Sequence, residues 1–176
     1  MMCTISGPVS GTSSATSRVR LYRAFAPRRL LSAAMKVFSS HTTINAPAER
    51  IWAFLTDGQA YPSWNSTIEK FEGNITEGQT IKLFVKINPG RSFPVKVVEL
   101  EPNKRMVWRG GMPLGLFKGI RTFTLTPTES GAVAFDMREV FSGPLSPIFG
   151  RMIPDLQPAF DDFAADLKRA AEATPG

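Results

Sequence analysis

An α+β domain, in which one curved antiparallel sheet closes on a long C-terminal helix, is the fold this sequence predicts. Three observations predict it. Apolar and polar residues alternate with a period of two through much of the middle of the chain. Those runs are separated by short turns built on Pro, Gly and Asn, the connections of an antiparallel meander. The last segment then changes to a helical stripe, with Leu156, Phe160, Phe163 and Leu167 spaced four, three and four apart.

Taken in order, the first strand is Val37–Ile44. Asn45-Ala46-Pro47-Ala48-Glu49 reads as a helix start, because proline suits the first helical position and a first-turn glutamate complements the helix dipole. Ala48, Ile51, Trp52 and Leu55 form the stripe of that helix, and Asp57-Gly58 stops it. A second short helix covers Gln59 to Trp64, with Pro62 near its beginning. From Ile68 the period is two. Ile81, Leu83, Val85 and Ile87 alternate with Lys82 and Lys86, which gives one buried and one wet face. Asn88-Pro89-Gly90 turns into a strand over Ser92–Leu100, and Glu101–Lys104 turns into Arg105–Arg109. Two more strands, Leu116–Thr126 and Ala132–Phe141, are joined by Pro127–Gly131. Pro154 and Pro158 place the start of the regular terminal helix near Asp155 or Gln157. The apolar stripe of that helix needs a cover, and the sheet is the available one. A strand, two short helices, six further strands and one long helix make a helix-grip arrangement.

Charge divides the chain. Arg18, Arg20, Arg23, Arg28, Arg29 and Lys36 all precede Glu49, the first acidic residue. The other 15 Lys and Arg are matched by all 15 Asp and Glu, so the net +6 belongs to the N-terminal stretch. A neutral domain lacks the electrostatic footprint of a nucleic-acid binder. Residues 1–34 are rich in Ser, Thr, Gly, Ala and Arg, with neither a secretory apolar core nor a membrane span. They are expected to be a disordered leader, followed by a single domain over 35–173. Two origins of the leader stay open: an organelle transit peptide, implying a mitochondrial or plastid protein, or an over-extended start with Met35 as the true beginning, implying a cytoplasmic one.

Cys3, the only cysteine, lies in the leader, so the domain has no disulfide, thiol nucleophile or thiolate metal site. His41 is the only histidine, which excludes a His-rich metal centre and leaves a Ser-His-Asp relay without a nucleophile-elbow motif. Gly110, Gly111, Gly115 and Gly119 lack phosphate-loop spacing. No cofactor and no metal is expected.

Several segments carry a resemblance. They are INAPAERIWAFLTD over Ile44–Asp57, YPSWN over Tyr61–Asn65, VVELEPNKRMVWRG over Val97–Gly110, RTFTLTP over Arg121–Pro127 and REVFSGPL over Arg138–Leu145. In their order and spacing the chain resembles the START-like superfamily, in the SRPBCC group of polyketide cyclase/dehydrase and lipid-transport proteins, over Lys36 to Glu172. The resemblance implies a cavity between sheet and long helix that holds small hydrophobic molecules. It does not fix an activity, because members include carriers, cyclases and co-chaperone domains.

Alternation assigns the residues that would line such a cavity. Ile81, Leu83, Val85 and Ile87 are expected to point inward, with Phe93, Val95 and Val97 beside them. Met106, Trp108 and Met112 follow on the next strand, then Phe123 and Leu125 facing Phe135, Met137 and Phe141. Phe160 and Phe163 close the cavity from the helix. Arg121 and Glu139 share these faces and are expected to pair, since a lone charge among aromatics is costly. Gly143 to Pro154, carrying Leu145, Ile148, Phe149 and Met152, is expected to border the mouth. The residues favour a non-catalytic binder or carrier of a small hydrophobic molecule. A cyclase/dehydratase-type enzyme using Glu139 as acid or base and Arg121 to stabilise an enolate is the alternative. A co-chaperone-like interaction domain is the third reading. Oligomeric state is not read from the sequence.

Overall fold

Short turns make almost every strand the neighbour of the next. The computed structural model describes residues 36–173, and the expected leader over 1–34 lies outside them. Seven strands form one antiparallel sheet: β1 (Lys36–Ile44), β2 (Ile68–Glu72), β3 (Thr80–Val85), β4 (Ser92–Glu101), β5 (Arg105–Gly111), β6 (Lys118–Pro127) and β7 (Val133–Ser142). Their order is β1-β7-β6-β5-β4-β3-β2, so only β1 leaves the meander and pairs with the last strand. Between β1 and β2 come α1 (Ala48–Thr56), a 3₁₀ turn at Gly58–Ala60 and α2 (Tyr61–Trp64). After β7 a short α3 (Ser146–Phe149) leads to α4 (Gln157–Glu172), which packs on β1, β7, α1 and α2. The fold is a curved half-barrel gripping its terminal helix.

The apolar stripe of α4 is what the sheet closes on. Phe163 is buried between Tyr61, Trp64, Phe123 and Phe135, whose ring centroids lie 5.5–6.3 Å from its own. Leu167, Ala171, Ile44, Ile51 and Leu55 extend this dry core to the far end of the helix. Burying a side chain of this size contributes about 2–3 kcal/mol. An extra residue in β4, between Val97 and Glu99, shifts the register against β5 and bends the sheet. α4 is fastened at its edges as well. Asp166, buried on the helix, accepts a hydrogen bond from the Ser66 amide at 2.6 Å and pairs with Arg169 at 2.5 Å. Glu172 accepts from the Asn45 amide at 2.7 Å.

Three expectations need correction. Ile87 is exposed rather than inward, because β3 ends at Val85 and the Asn88 amide already closes a turn on the Val85 carbonyl. Leu116 and Phe117 are not part of β6. The chain between β5 and β6 runs through left-handed residues, Gly111 at φ +133°, Leu114 at +58° and Gly115 at +68°, and pairs regularly only from Lys118. Met112 falls in that same connection and is exposed, so it is not an interior wall residue.

Candidate functional site

The inner face of the sheet is built in rows, because residues directly paired across antiparallel strands share a face. One row runs Phe38, Glu139, Arg121, Trp108 and Val97 across β1, β7, β6, β5 and β4. The next row, toward the β5–β6 connection, runs Lys36, Phe141, Gly119, Gly110 and Val95. The rows behind them hold Phe123, Met137, Leu125 and Phe135, all buried.

Arg121 and Glu139 are direct partners. Arg121 donates through Nε and Nη2 to Glu139 Oε2, at 3.0 and 2.6 Å. Their side chains are 19% and 13% exposed, which places the pair at the border between the dry core and the solvent-facing end. The guanidinium also lies 4.8 Å from the Phe160 ring of α4, and that ring packs on Phe38 at 5.9 Å. A cation over a desolvated ring is attracted by its negative face. The charge is therefore held by one carboxylate and one aromatic face.

Gly110 and Gly119 face each other across β5 and β6, so the inner wall between Val95 and Phe141 carries no side chain. A Cβ on Gly119 would lie 3.0 Å from the Phe141 ring and 3.1 Å from Glu139 Oε1. One on Gly110 would lie 3.0 Å from Val95 Cγ1. The bare strip lets the Glu139 carboxylate and the Phe141 ring settle onto the sheet. Above it stand Phe117, stacked on Phe141 at 5.8 Å, and Phe149 of α3, 5.7 Å from Phe117.

Polar groups deeper inside are few. Tyr61 is fully buried and donates its hydroxyl to the Leu55 carbonyl at 2.9 Å. Burial pushes its pKa far above the ordinary phenol value, and the nearby Arg121 charge opposes that only in part. The phenol is a neutral donor already in use. Trp108 is buried, and its Nε1–H has no acceptor, which leaves a dry donor in the wall beside Arg121.

The expected lining residues fall into two groups. Trp108, Phe123, Phe135, Met137 and Phe163 lie in the dry interior, with Trp108 and Phe123 in edge contact at 4.8 Å. Leu83 is buried beside Phe71 of β2, and Val85, Phe93 and Val95 are half-buried along the open edge. Arg121, Glu139 and Phe160 meet at the border. Phe38, Tyr61, Phe117 and the two glycines were not assigned to the site from sequence, whereas Phe149 was expected only at its mouth. The glycines carried a usable signal, since Gly110 and Gly119 stand two residues from Trp108 and Arg121 and so share their face. His41 is on the outer face, 2.8 Å from Asp136 and well exposed. Among the described residues no cluster of three or more His, Cys, Asp or Glu is arranged for a metal. An open depression of about 410 Å³ at the other end of the sheet is lined by Asn45, Ala46, Pro47, Ser130, Gly131 and Ala132, with no charged group.

A half-barrel sheet gripping a helix, with an apolar inner face, is the START-like helix-grip fold. The chain belongs to the polyketide cyclase / dehydrase and lipid transport family, whose sequence pattern matches residues 35–172. Solved structures share the fold. A protein from Mesorhizobium loti superposes with a TM-score of 0.61 at 22% identity, covering 80% of this chain and 100% of that one. Norcoclaurine synthase from Thalictrum flavum gives 0.60 at 17% identity, covering 82% and 98%. A START superfamily protein from Mycobacterium smegmatis gives 0.55 at 20%, covering 77% and 97%. No curated protein sequence matches the chain. Among the described residues no helix is long and apolar enough to cross a membrane.

Proposed function

We propose that the domain, taken as residues 35–173, binds or carries a small hydrophobic molecule against the inner face of the sheet, under α4. The observation that carries this reading is the bare Gly110–Gly119 strip beside the Arg121–Glu139 pair. Small-molecule sites combine an apolar wall with a few placed polar groups. Here two facing glycines leave the Phe141 ring and the Glu139 carboxylate, movable side-chain ends, as the cover beside one charged anchor. The apolar body of the ligand rests on Val95, Phe141 and the strip, and its polar end meets Arg121. Native mass spectrometry of protein purified from cells, with a thermal-shift screen of lipids and aromatic compounds, tests it. Binding that weakens in Arg121→Leu more than folding does supports the proposal. No mass adduct and no thermal response to any apolar compound would refute it. The domain boundary has its own check: protein beginning at Met35 should keep the thermal midpoint of the full chain.

A cyclase/dehydratase-type reaction is the second reading, favoured by one feature. Glu139 uses only Oε2 for Arg121, and Oε1 makes no hydrogen bond among the described residues while it lies over Gly119. A carboxylate oxygen at that place can take a proton from a bound substrate while Arg121 holds the developing oxyanion. Similarity in fold to a synthase supports no more than the capacity of the architecture for catalysis. Loss of turnover with retained ligand binding in Glu139→Gln would select this reading over a carrier.

A further inference from the structure

We infer that the end of the sheet above this site, formed by the β3–β4, β5–β6 and β7–α4 connections, docks on an anionic lipid bilayer surface. The inference rests on the hydrophobic-ligand reading, because a carrier of water-insoluble cargo must meet the phase that holds it. The three connections lie at one end by topology. β3 and β4 stop pairing at Phe84 and Ser92, β5 and β6 at Gly111 and Lys118, and β6 and β7 at Lys118 and Ser142. Two of them are tied together, with the Leu145 amide donating to the Leu116 carbonyl at 2.9 Å and Phe149 packed on Phe117.

This end displays large aliphatic side chains to solvent. Leu114 is 96% exposed, Met152 73%, Ile148 61% and Ile87 47%, and Met112 and Leu116 are exposed beside them. Leu114 holds a left-handed backbone conformation, φ +58°, which a leucine adopts only at a cost. A strained residue presented with nothing packed on it is not explained by folding. An exposed set of this kind on one end marks an interaction surface.

Charge selects the partner. Residues 86–91, 112–118 and 143–156 contain Lys86, Arg91, Lys118 and Arg151, all exposed, and a single carboxylate, Asp155. Asp155 is engaged with the Gln157 amide at 3.0 Å. The four cations make no ion pair among the described residues. Elsewhere on the domain Lys70, Lys82, Lys104, Arg105, Lys168 and Arg169 are paired with carboxylates, while Arg50, Lys96, Arg109 and Arg138 make no ion pair among the described residues. The end is therefore set apart by its near lack of carboxylates together with its exposed aliphatic tips. Isolated aliphatic tips on separate loops, with no aromatic ring exposed beside them among the described residues, do not match the aromatic-anchor form of a protein interface. They match a bilayer surface, where apolar tips enter the headgroup–acyl boundary and Lys and Arg stay with the phosphates.

The test is flotation of the full chain with vesicles of phosphatidylcholine, with and without phosphatidylglycerol. Binding is expected on the anionic vesicles and should fall with added salt. Leu114→Asp should reduce it at least roughly tenfold, and Lys118→Gln or Arg151→Gln about fivefold each. In a second measurement, Leu114→Trp should be quenched by brominated lipid, while native Trp52, Trp64 and Trp108, all buried, are not. Absence of binding to either vesicle would overturn the proposal. So would equal binding of wild type and Leu114→Asp, which would assign attraction to the Arg-rich residues 1–34. A Leu114→Asp variant that only changes the oligomer size would give this end to a second copy and also overturn it. Uptake of anilinonaphthalene sulfonate from solution, measured on the same variants, keeps the two readings apart. Rim-dependent flotation without dye uptake would uphold docking and refute the ligand site beneath it.

Discussion

The two halves of the inner face are both rich in aromatic residues but pack them differently. In the deep half, Trp108, Phe123, Phe135 and Phe163 contact one another and leave nothing exposed. In the outer half Gly110 and Gly119 bear no side chain, the Phe141 ring and the Glu139 carboxylate cover Gly119 instead, a half-buried ion pair sits in the wall, and Phe117 stacks on Phe141. The difference teaches that an apolar stripe is not one thing. Where every position bears a side chain the cover is fixed by its own rows, and where glycines face each other the cover is lent by neighbouring side chains that can move. Substitutions in the two halves should therefore move different observables.

The largest effect belongs to the deep half. Phe163→Ala should lower stability by about 4 kcal/mol through lost transfer energy and an unfilled cavity. For a domain of this length that is a fall in thermal midpoint of roughly 10–15 °C. A stability loss below about 1 kcal/mol, together with abolished ligand binding, would break the comparison and make the deep half the pocket.

Next comes the ion pair. Its partial burial places it between an exposed pair, worth about 0–1 kcal/mol, and a fully buried one, whose breakage costs about 3–5 kcal/mol. Arg121→Leu or Glu139→Leu should each cost about 2 kcal/mol, since each leaves one charge facing rings. The double replacement should cost less than either single change. A double variant as unstable as the sum of the two would show that the pair stabilises the fold outright.

The fastening of α4 responds to acid. Burial alone would raise the Asp166 pKa, but the hydrogen bonds from Ser66 and the Arg169 charge more than cancel it and hold the carboxyl below its ordinary value. The stabilisation is thus complete above the unfolded-state pKa of about 4 and is lost as pH falls through the folded value. Denaturation midpoints measured across this range should drop with acid in the wild type, and less in Asp166→Asn. Because Asp166 clamps the helix to the start of β2, the same acidification should loosen the grip on the deep half without touching Arg121. Parallel acid slopes for the two proteins would show that other carboxylates dominate.

The sheet and its terminal helix were legible in the sequence because turns and periodicity are local signals. Pro127–Gly131 folds β6 back on β7 so that Arg121 meets Glu139, and the stripe through Phe160 and Phe163 fixes which side of α4 faces in. The errors come from strand ends. Alternation runs on through Ile87 and Met112 after hydrogen bonding has stopped, since hydrophobicity alone does not report where pairing ends. The glycine strip was missed for a different reason. The spacing of Gly110 and Gly119 from Trp108 and Arg121 gives their face, but only the cross-strand register brings one opposite the other. Phe117 reaches the site from a connection, where no period exists to assign it.

The smallest stability change is the sharpest test of the comparison. Gly119 has no left-handed backbone requirement, so an alanine there gains about 0.4–1 kcal/mol from a stiffer unfolded chain. Against this stand the contacts its Cβ would make, 3.0 Å to the Phe141 ring and 3.1 Å to Glu139 Oε1, both of them side-chain ends that can give way. The two terms nearly cancel, and Gly119→Ala should keep its thermal midpoint within a few degrees of wild type. Its Cβ nevertheless occupies the strip and displaces the carboxylate and the ring beside it. Affinity for the hydrophobic ligand should fall roughly tenfold, the usual consequence of one misplaced carbon in an apolar site. The same substitution in a packed core position would do the reverse and move stability first. Retained affinity in a stable Gly119→Ala protein would mean that the strip is unoccupied and that the ligand, if any, lies elsewhere under α4.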